Sequence, residues 1–260
     1  MTSDLVSISR ADRITTVRLQ RPDALNAISG ALAEELADKL KAIASDRDIW
    51  VVVLGAAGEK AFCVGADLKE RAGFDLEDFY RNRGQIRQMF EAMRDLPQAT
   101  IASVFGFALG GGFELALSCD LIVASSDATF GLPEATVGLI PAGGGTQLLA
   151  RRVGTARAKQ IIFTGDRIDA AEAKTLGVVA EVVPREELES ATLSLAHRVA
   201  RASPVAVRAA KRAVDSALGS SLSDGLEVEN AAWKEVIASE DRGEGIAAFN
   251  EKREPNWANR

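Results

Sequence analysis

Apolar residues recur along the chain in two rhythms. Val6–Ser9 and Ile14–Leu19 alternate on either side of an Arg10–Arg13 turn, which predicts a pair of strands. From Ser29 to Ser45 the period lengthens, and Leu32, Leu36, Leu40 and Ile43 fall on one face of an amphipathic helix. Ile49-Trp50-Val51-Val52-Val53-Leu54 is apolar throughout and closed by Gly55, the pattern of a strand covered on both faces. A long helix is expected between Leu76 and Leu96, then a second buried strand at Thr100–Phe105. A helix follows Gly110-Gly111-Gly112 and ends near Cys119, and Leu121–Ala124 gives a third strand.

Strands alternating with helices indicate an α/β core. Asp169, with Glu172 three residues on, is placed to cap a helix, and Val178–Val183 reads as the last strand. Beyond Pro184 only helical patterns remain, at Arg185–Arg201, Val205–Leu218, Leu222–Ile237 and Arg242–Lys252. The expected organisation is an α/β core over residues 1–195 and a helical region over 196–260. Met1-Thr2-Ser3-Asp4 has neither the basic start nor the apolar run of a signal peptide. The most apolar stretch, Thr100–Leu117, contains several glycines and Glu114, so no membrane span is expected. These features predict a cytoplasmic protein.

Composition narrows the chemistry. A net charge of −6 argues against nucleic acid as the main partner. Cys63 and Cys119 lie in apolar sequence without metal-type spacing and are expected as reduced core residues. His197 is the only histidine, so a histidine-based metal site or a Ser-His triad has little to build on. Phosphate-loop, zinc-protease and serine-hydrolase motifs are missing. Gly143-Gly144-Gly145-Thr146 lacks the spacing of a dinucleotide-binding turn.

Carboxylates and backbone donors remain. Gly110-Gly111-Gly112-Phe113-Glu114 puts three glycines at a helix start, where unpaired N–H groups and a partial positive charge gather. Such a start can hold an oxygen that gains negative charge, with Glu114 beside it. The same residues also suit close packing and a dipole-complementing acid. A second glycine turn, Phe62-Cys63-Val64-Gly65-Ala66-Asp67-Leu68, follows a strand; there Asp67 can cap a short helix and leave the Ala66 N–H in an irregular turn. Another carboxylate, Glu134, is held next to Pro133.

Arg21-Pro22-Asp23-Ala24-Leu25-Asn26-Ala27, Phe62–Glu70, Ala108–Asp120, Phe130–Gln147 and Phe249-Asn250-Glu251-Lys252-Arg253 occur in an order that resembles the enoyl-CoA hydratase/isomerase, or crotonase, family. The resemblance covers nearly the whole chain. It implies a spiral of ββα units with a C-terminal helical trimerisation region. It also implies that the N–H groups of Ala66 and Gly111 polarise an acyl-CoA thioester carbonyl, while Glu114 and Glu134 handle the water and proton of hydration. Coenzyme A contacts are implied at Ala24, Leu25, Ala27, Ala66, Asp67, Leu68, Lys69 and Gly111. Phe249 and Lys252 are implied to meet the adenine end of coenzyme A on a neighbouring subunit. No cofactor is expected, coenzyme A being part of the substrate. The expected partners are an acyl-CoA thioester and copies of the same chain, as a trimer or dimer of trimers, with no nucleic acid and no membrane.

Two other activities stay open. One is a Δ3,Δ2-enoyl-CoA isomerase. The other is a methylglutaconyl-CoA hydratase with RNA binding, because Gly65–Ala72 is similar to that branch; against RNA, the Ser29–Ser45 helix carries Glu34, Glu35 and Asp38 beside Lys39 and Lys41. Val64, Phe105, Leu132 and Leu148 depart from the usual family pattern, which leaves the acyl group open.

Overall fold

The computed structural model describes residues 4–217 and 219–260. Met1–Ser3, and the expected end of a tail helix at Leu218, lie outside the described residues. The chain starts with strands β1 (Val6–Ala11) and β2 (Ile14–Leu19), helix α1 (Gly30–Ser45), β3 (Val51–Ala56) and β4 (Ala61–Cys63). Helices α2 (Leu68–Arg71) and α3 (Leu76–Arg94) precede β5 (Ala99–Val104), β6 (Phe107–Leu109), α4 (Gly111–Leu117), β7 (Leu121–Ser125) and β8 (Thr129–Gly131). Then come α5 (Gly145–Val153), α6 (Thr155–Thr164), β9 (Arg167–Asp169), α7 (Ala170–Thr175) and β10 (Glu181–Val183). Four helices finish the chain: α8 (Leu188–Ala200), α9 (Pro204–Ser216), α10 (Leu222–Ala238) and α11 (Glu240–Glu251).

The strands form two sheets. The larger runs β1-β2-β3-β5-β7-β10 and is parallel except for the β1–β2 hairpin; the smaller runs β4-β6-β8-β9, with β4, β6 and β8 parallel. Each successive pair, β3/β4, β5/β6 and β7/β8, gives its first strand to the large sheet and its second to the small one before a helix returns the chain. This repetition is the expected spiral of ββα units. It aligns the carboxyl ends of β4, β6 and β8 along one edge, where ligand sites of parallel sheets gather.

Local chemistry explains most boundaries. Ser29 caps α1 by accepting from the Leu32 N–H at 3.2 Å, and the expected face of Leu32, Leu36, Leu40 and Ile43 is buried. Asp169 caps α7 by accepting from the Glu172 N–H at 2.8 Å. Gly55 does not close β3: parallel pairing with Arg18 and Leu19 of β2 carries that strand on to Ala56. The last strand begins at Glu181, not Val178, because the Val178 and Val179 N–H groups bond to the Ala173 carbonyl at the end of α7.

The division expected after residue 195 falls inside α8, which lies across β3, β5 and β7. Helix α9 is tied to the body by Lys211, whose Nζ donates to Asp120 and to the Gln98 carbonyl, both at 3.0 Å.

Candidate active site

Three consecutive parallel strands deliver three turns to one place. Val64-Gly65-Ala66 leaves β4, Gly110-Gly111 leaves β6, and Pro133-Glu134 leaves β8 by way of a 3-10 turn, Pro133–Val137. All of these residues line a cavity of about 470 Å³, together with Glu114 on α4 and apolar side chains of α3.

The glycines follow from the packing. A Cβ on Gly112 would lie 2.0 Å from the Cys63 carbonyl oxygen, so α4 can start against β4 only with glycine there. Gly65 has φ +91°, and a Cβ on it would stand 3.0 Å from the Gly111 nitrogen and 3.0 Å from the Leu109 oxygen. That close approach sets two amides side by side, since even a Cβ on Gly111 would be only 3.8 Å from the Ala66 nitrogen. The Gly111 N–H, at the first turn of α4, has no intrahelical acceptor. Ile28 bonds on both sides of Ala66, donating to the Gly65 carbonyl and accepting from the Asp67 N–H, and leaves the Ala66 N–H out of the bridge. Both donors are therefore available to a carbonyl oxygen in the cavity.

The two carboxylates sit in different surroundings. Glu114 is 3% exposed, and its Oε1 accepts from the Gly143 and Gly145 N–H groups, each at 2.7 Å. Burial pushes its carboxyl upward; those N–H groups and the Arg83 charge oppose the shift without cancelling it. Glu134 has no comparable support. Its Oε2 is buried without a hydrogen-bond partner, and burial, with Glu114 adding repulsion, pushes the carboxyl up to about 7. One acid has two N–H donors that favour its charged form against burial; the other has no such pair and is poised to carry a proton, an arrangement suited to moving protons on both sides of a bound substrate.

The turn beside Ala66 is braced. Asp67 caps α2 by accepting from the N–H groups of Lys69 and Glu70, and it pairs with Arg21 at 2.9 Å. Burial opposes ionisation of Asp67, but the Arg21 guanidinium and those N–H groups outweigh it and hold the carboxyl below its usual range. Leu25 and Asn26 take left-handed backbone, with φ of 52° and 55°. Asn26 is buried and binds the Ala57 and Ala61 carbonyls, which fastens the Ala24–Ala27 segment beside β4.

A profile of the family described as enoyl-CoA hydratase/isomerase matches residues 9–260. The chain belongs to that family. A probable enoyl-CoA hydratase from Rhizobium meliloti is 42% identical over 260 residues, covering 100% of both chains. A putative enoyl-CoA hydratase/isomerase from Bacillus subtilis is 40% identical over 242 residues, 93% of each chain. The crystal structure of an enoyl-CoA hydratase from Bacillus anthracis superposes with a TM-score of 0.97 at 43% identity, covering 99% of this chain and 100% of that one.

Of the residues the family pattern points to, Ala66, Leu68, Gly111, Glu114 and Glu134 line one cavity. Asp67 and Lys69 continue the Ala66 turn, and Ala24, Leu25 and Ala27 lie behind it; none of these five lines the cavity wall. Phe249 and Lys252 are on or just after α11 and do not line the cavity of their own chain; Phe249 is 84% exposed. Gly143 and Gly145, the donors that hold Glu114, and Arg21, the clamp on Asp67, carry no mark of those roles in the sequence. The Gly143-Gly144-Gly145 run was visible but had no partner in the sequence, because Glu114 meets it only through the fold.

Proposed function

We propose that the protein is an enoyl-CoA hydratase, adding water across the C2=C3 bond of a 2-enoyl-CoA to give a 3-hydroxyacyl-CoA. The observation that carries this reading is the asymmetric carboxylate pair beside two unpaired N–H donors. The Ala66 and Gly111 N–H groups donate to the thioester oxygen and stabilise the enolate that forms as C3 is attacked. Glu114, whose charged form the Gly143 and Gly145 N–H groups favour against its burial, accepts a proton from water while the water oxygen bonds to C3. Glu134 delivers a proton to C2. One proton is shared by the two acids before and after the turnover, and exchange through water resets them. No electrons are transferred, so the reaction asks for no redox group; coenzyme A comes and goes with the substrate.

The Arg21-braced turn supports coenzyme A contacts at Ala24, Leu25, Ala27, Asp67, Leu68 and Lys69. Assembly is supported by α10, where Leu222, Leu226, Trp233 and Ile237 recur on one helix face and are all exposed in the single chain. A trimer, or a dimer of trimers, would cover that face and bring the exposed Phe249 and Lys252 towards a neighbour's substrate. Two buried free thiols, Cys63 and Cys119, suit a cytoplasmic location, and among the described residues no helix is long and apolar enough to cross a membrane.

The test is mass spectrometry of crotonyl-CoA after incubation with the protein, beside the conjugated enoyl-thioester absorbance of a 3-enoyl-CoA, whose isomerisation leaves its mass unchanged. Hydration adds the mass of one water to crotonyl-CoA. Unchanged crotonyl-CoA together with conversion of the 3-enoyl thioester to its 2-enoyl isomer would replace hydratase by isomerase.

A further inference from the structure

The apolar stripe of α3 is interrupted where it faces the cavity. Phe79, Arg83, Ile86 and Phe90 follow one another at helical spacing and all line it, so a guanidinium occupies a position that the pattern reserves for an apolar side chain. Arg71, at the end of α2, lines the same wall. It is partly buried, and its Nε and Nη2 both donate to the single neutral oxygen Asn82 Oδ1, at 3.1 and 2.9 Å. Its Cζ also lies 6.0 Å from the Phe79 ring centroid.

Three acids on these helices are engaged elsewhere. Glu70 accepts from the Gly30 N–H at 3.0 and 3.2 Å, Asp78 pairs with Arg81, and Glu91 pairs with Arg87. Among the described residues Arg71 and Arg83 are left without an acidic partner at ion-pair distance, although Arg83 bears electrostatically on Glu114. Burial lowers the pKa of Arg71; Glu70 opposes this and repulsion from Arg83 adds to it. Two neighbouring cations that repel on one wall of the cavity, Arg71 half-buried and Arg83 exposed, form an incomplete site. An anion bridging them would complete it, and guanidinium matches carboxylate in planar geometry.

We infer that Arg71 and Arg83 select 2-enoyl thioesters whose acyl chain ends in a carboxylate. This rests on the hydratase reading above and deepens it. The apolar side chains flanking Arg83 enclose the carbon chain, while the guanidinium groups take the terminal carboxylate.

The probes are glutaconyl-CoA, a short 2-enoyl thioester with a terminal carboxylate, and crotonyl-CoA, which lacks it. We would measure kcat/KM for both with the intact protein and with Arg71→Gln and Arg83→Gln. The wild type should favour glutaconyl-CoA by about 10-fold or more, and each variant should reduce that ratio by about 10-fold, the scale of one charge-assisted hydrogen bond. The ratio is taken within one preparation, so partial misfolding cancels. A wild type that hydrates crotonyl-CoA equally well or better would overturn the inference. So would equal losses on both substrates, which would assign the arginines to coenzyme A or to Glu114. Failure to hydrate either thioester would instead bring down the hydratase reading itself.

Discussion

Gly110 and Glu134 leave the ends of neighbouring parallel strands and meet so closely that a Cβ on Gly110 would lie 2.9 Å from Glu134 Oε1. Gly110 also has φ +52° and ψ −129°, a conformation that side chains oppose. Its N–H donates back to the Gly131 carbonyl at 2.9 Å, which ties the start of α4 to the strand that carries Glu134. Gly110→Ala is therefore expected to displace the carboxylate as well as strain the turn. The expected result is a loss of about 100-fold or more in kcat and about 1–3 kcal/mol of stability. Steady-state kinetics and thermal melts would check both.

The pH dependence should carry the mark of Glu134. Its carboxyl is pushed up to about 7, and the proposed role needs the proton. On the hydratase reading, kcat/KM should fall as pH rises through about 7, because the donor is progressively ionised. In Glu134→Gln that limb should vanish from whatever activity remains. A pH–rate profile of the two proteins is the measurement.

The same shift has a sign for stability. The folded carboxyl, at about 7, stands above its ordinary value of 4.5, so the native state binds more protons across that window and stability falls as pH rises through it. Glutamine cannot ionise. Glu134→Gln should thus be more stable than the wild type at pH 8, by about 1–2 kcal/mol once partial solvent access is allowed for. The two should converge near pH 4 to 5, as denaturant melts at each pH would show.

Trp233 is 58% exposed on the apolar face of α10. If that face is an interface between copies of this chain, Trp233→Glu should bury an unpaired charge there. Sedimentation should then give a smaller species than for the wild type, with the helical content of the chain unchanged.

Legibility in the sequence depended on element length. The five- and six-residue strands of the large sheet and the long helices carry enough periodicity to be read, and Ser29 and Asp169 cap as their residue types suggest. The small sheet escaped because β4, β6, β8 and β9 have three residues each, too few to show a rhythm. That sheet nevertheless places the site. Ala66, Gly111, Glu114 and Glu134 were marked by glycines and carboxylates in recognisable order, and the fold brings all four to one cavity. The supporting contacts were not legible: Gly143 and Gly145 reach Glu114 across 29 and 31 residues, and Arg21 reaches Asp67 across 46. Nothing in local pattern encodes such pairings.

The most direct test is loss of the conjugated enoyl-thioester absorbance on adding the protein to crotonyl-CoA, beside Glu114→Gln, Glu134→Gln and the double variant. Rapid loss is expected with the wild type, and decreases of about 100- to 10,000-fold in kcat for each single variant. The double variant should be little worse than either single, because the two acids act as one unit. Wild-type absorbance that persists with crotonyl-CoA and with longer or carboxylated 2-enoyl thioesters would contradict the hydratase account, as would single variants that keep wild-type rates.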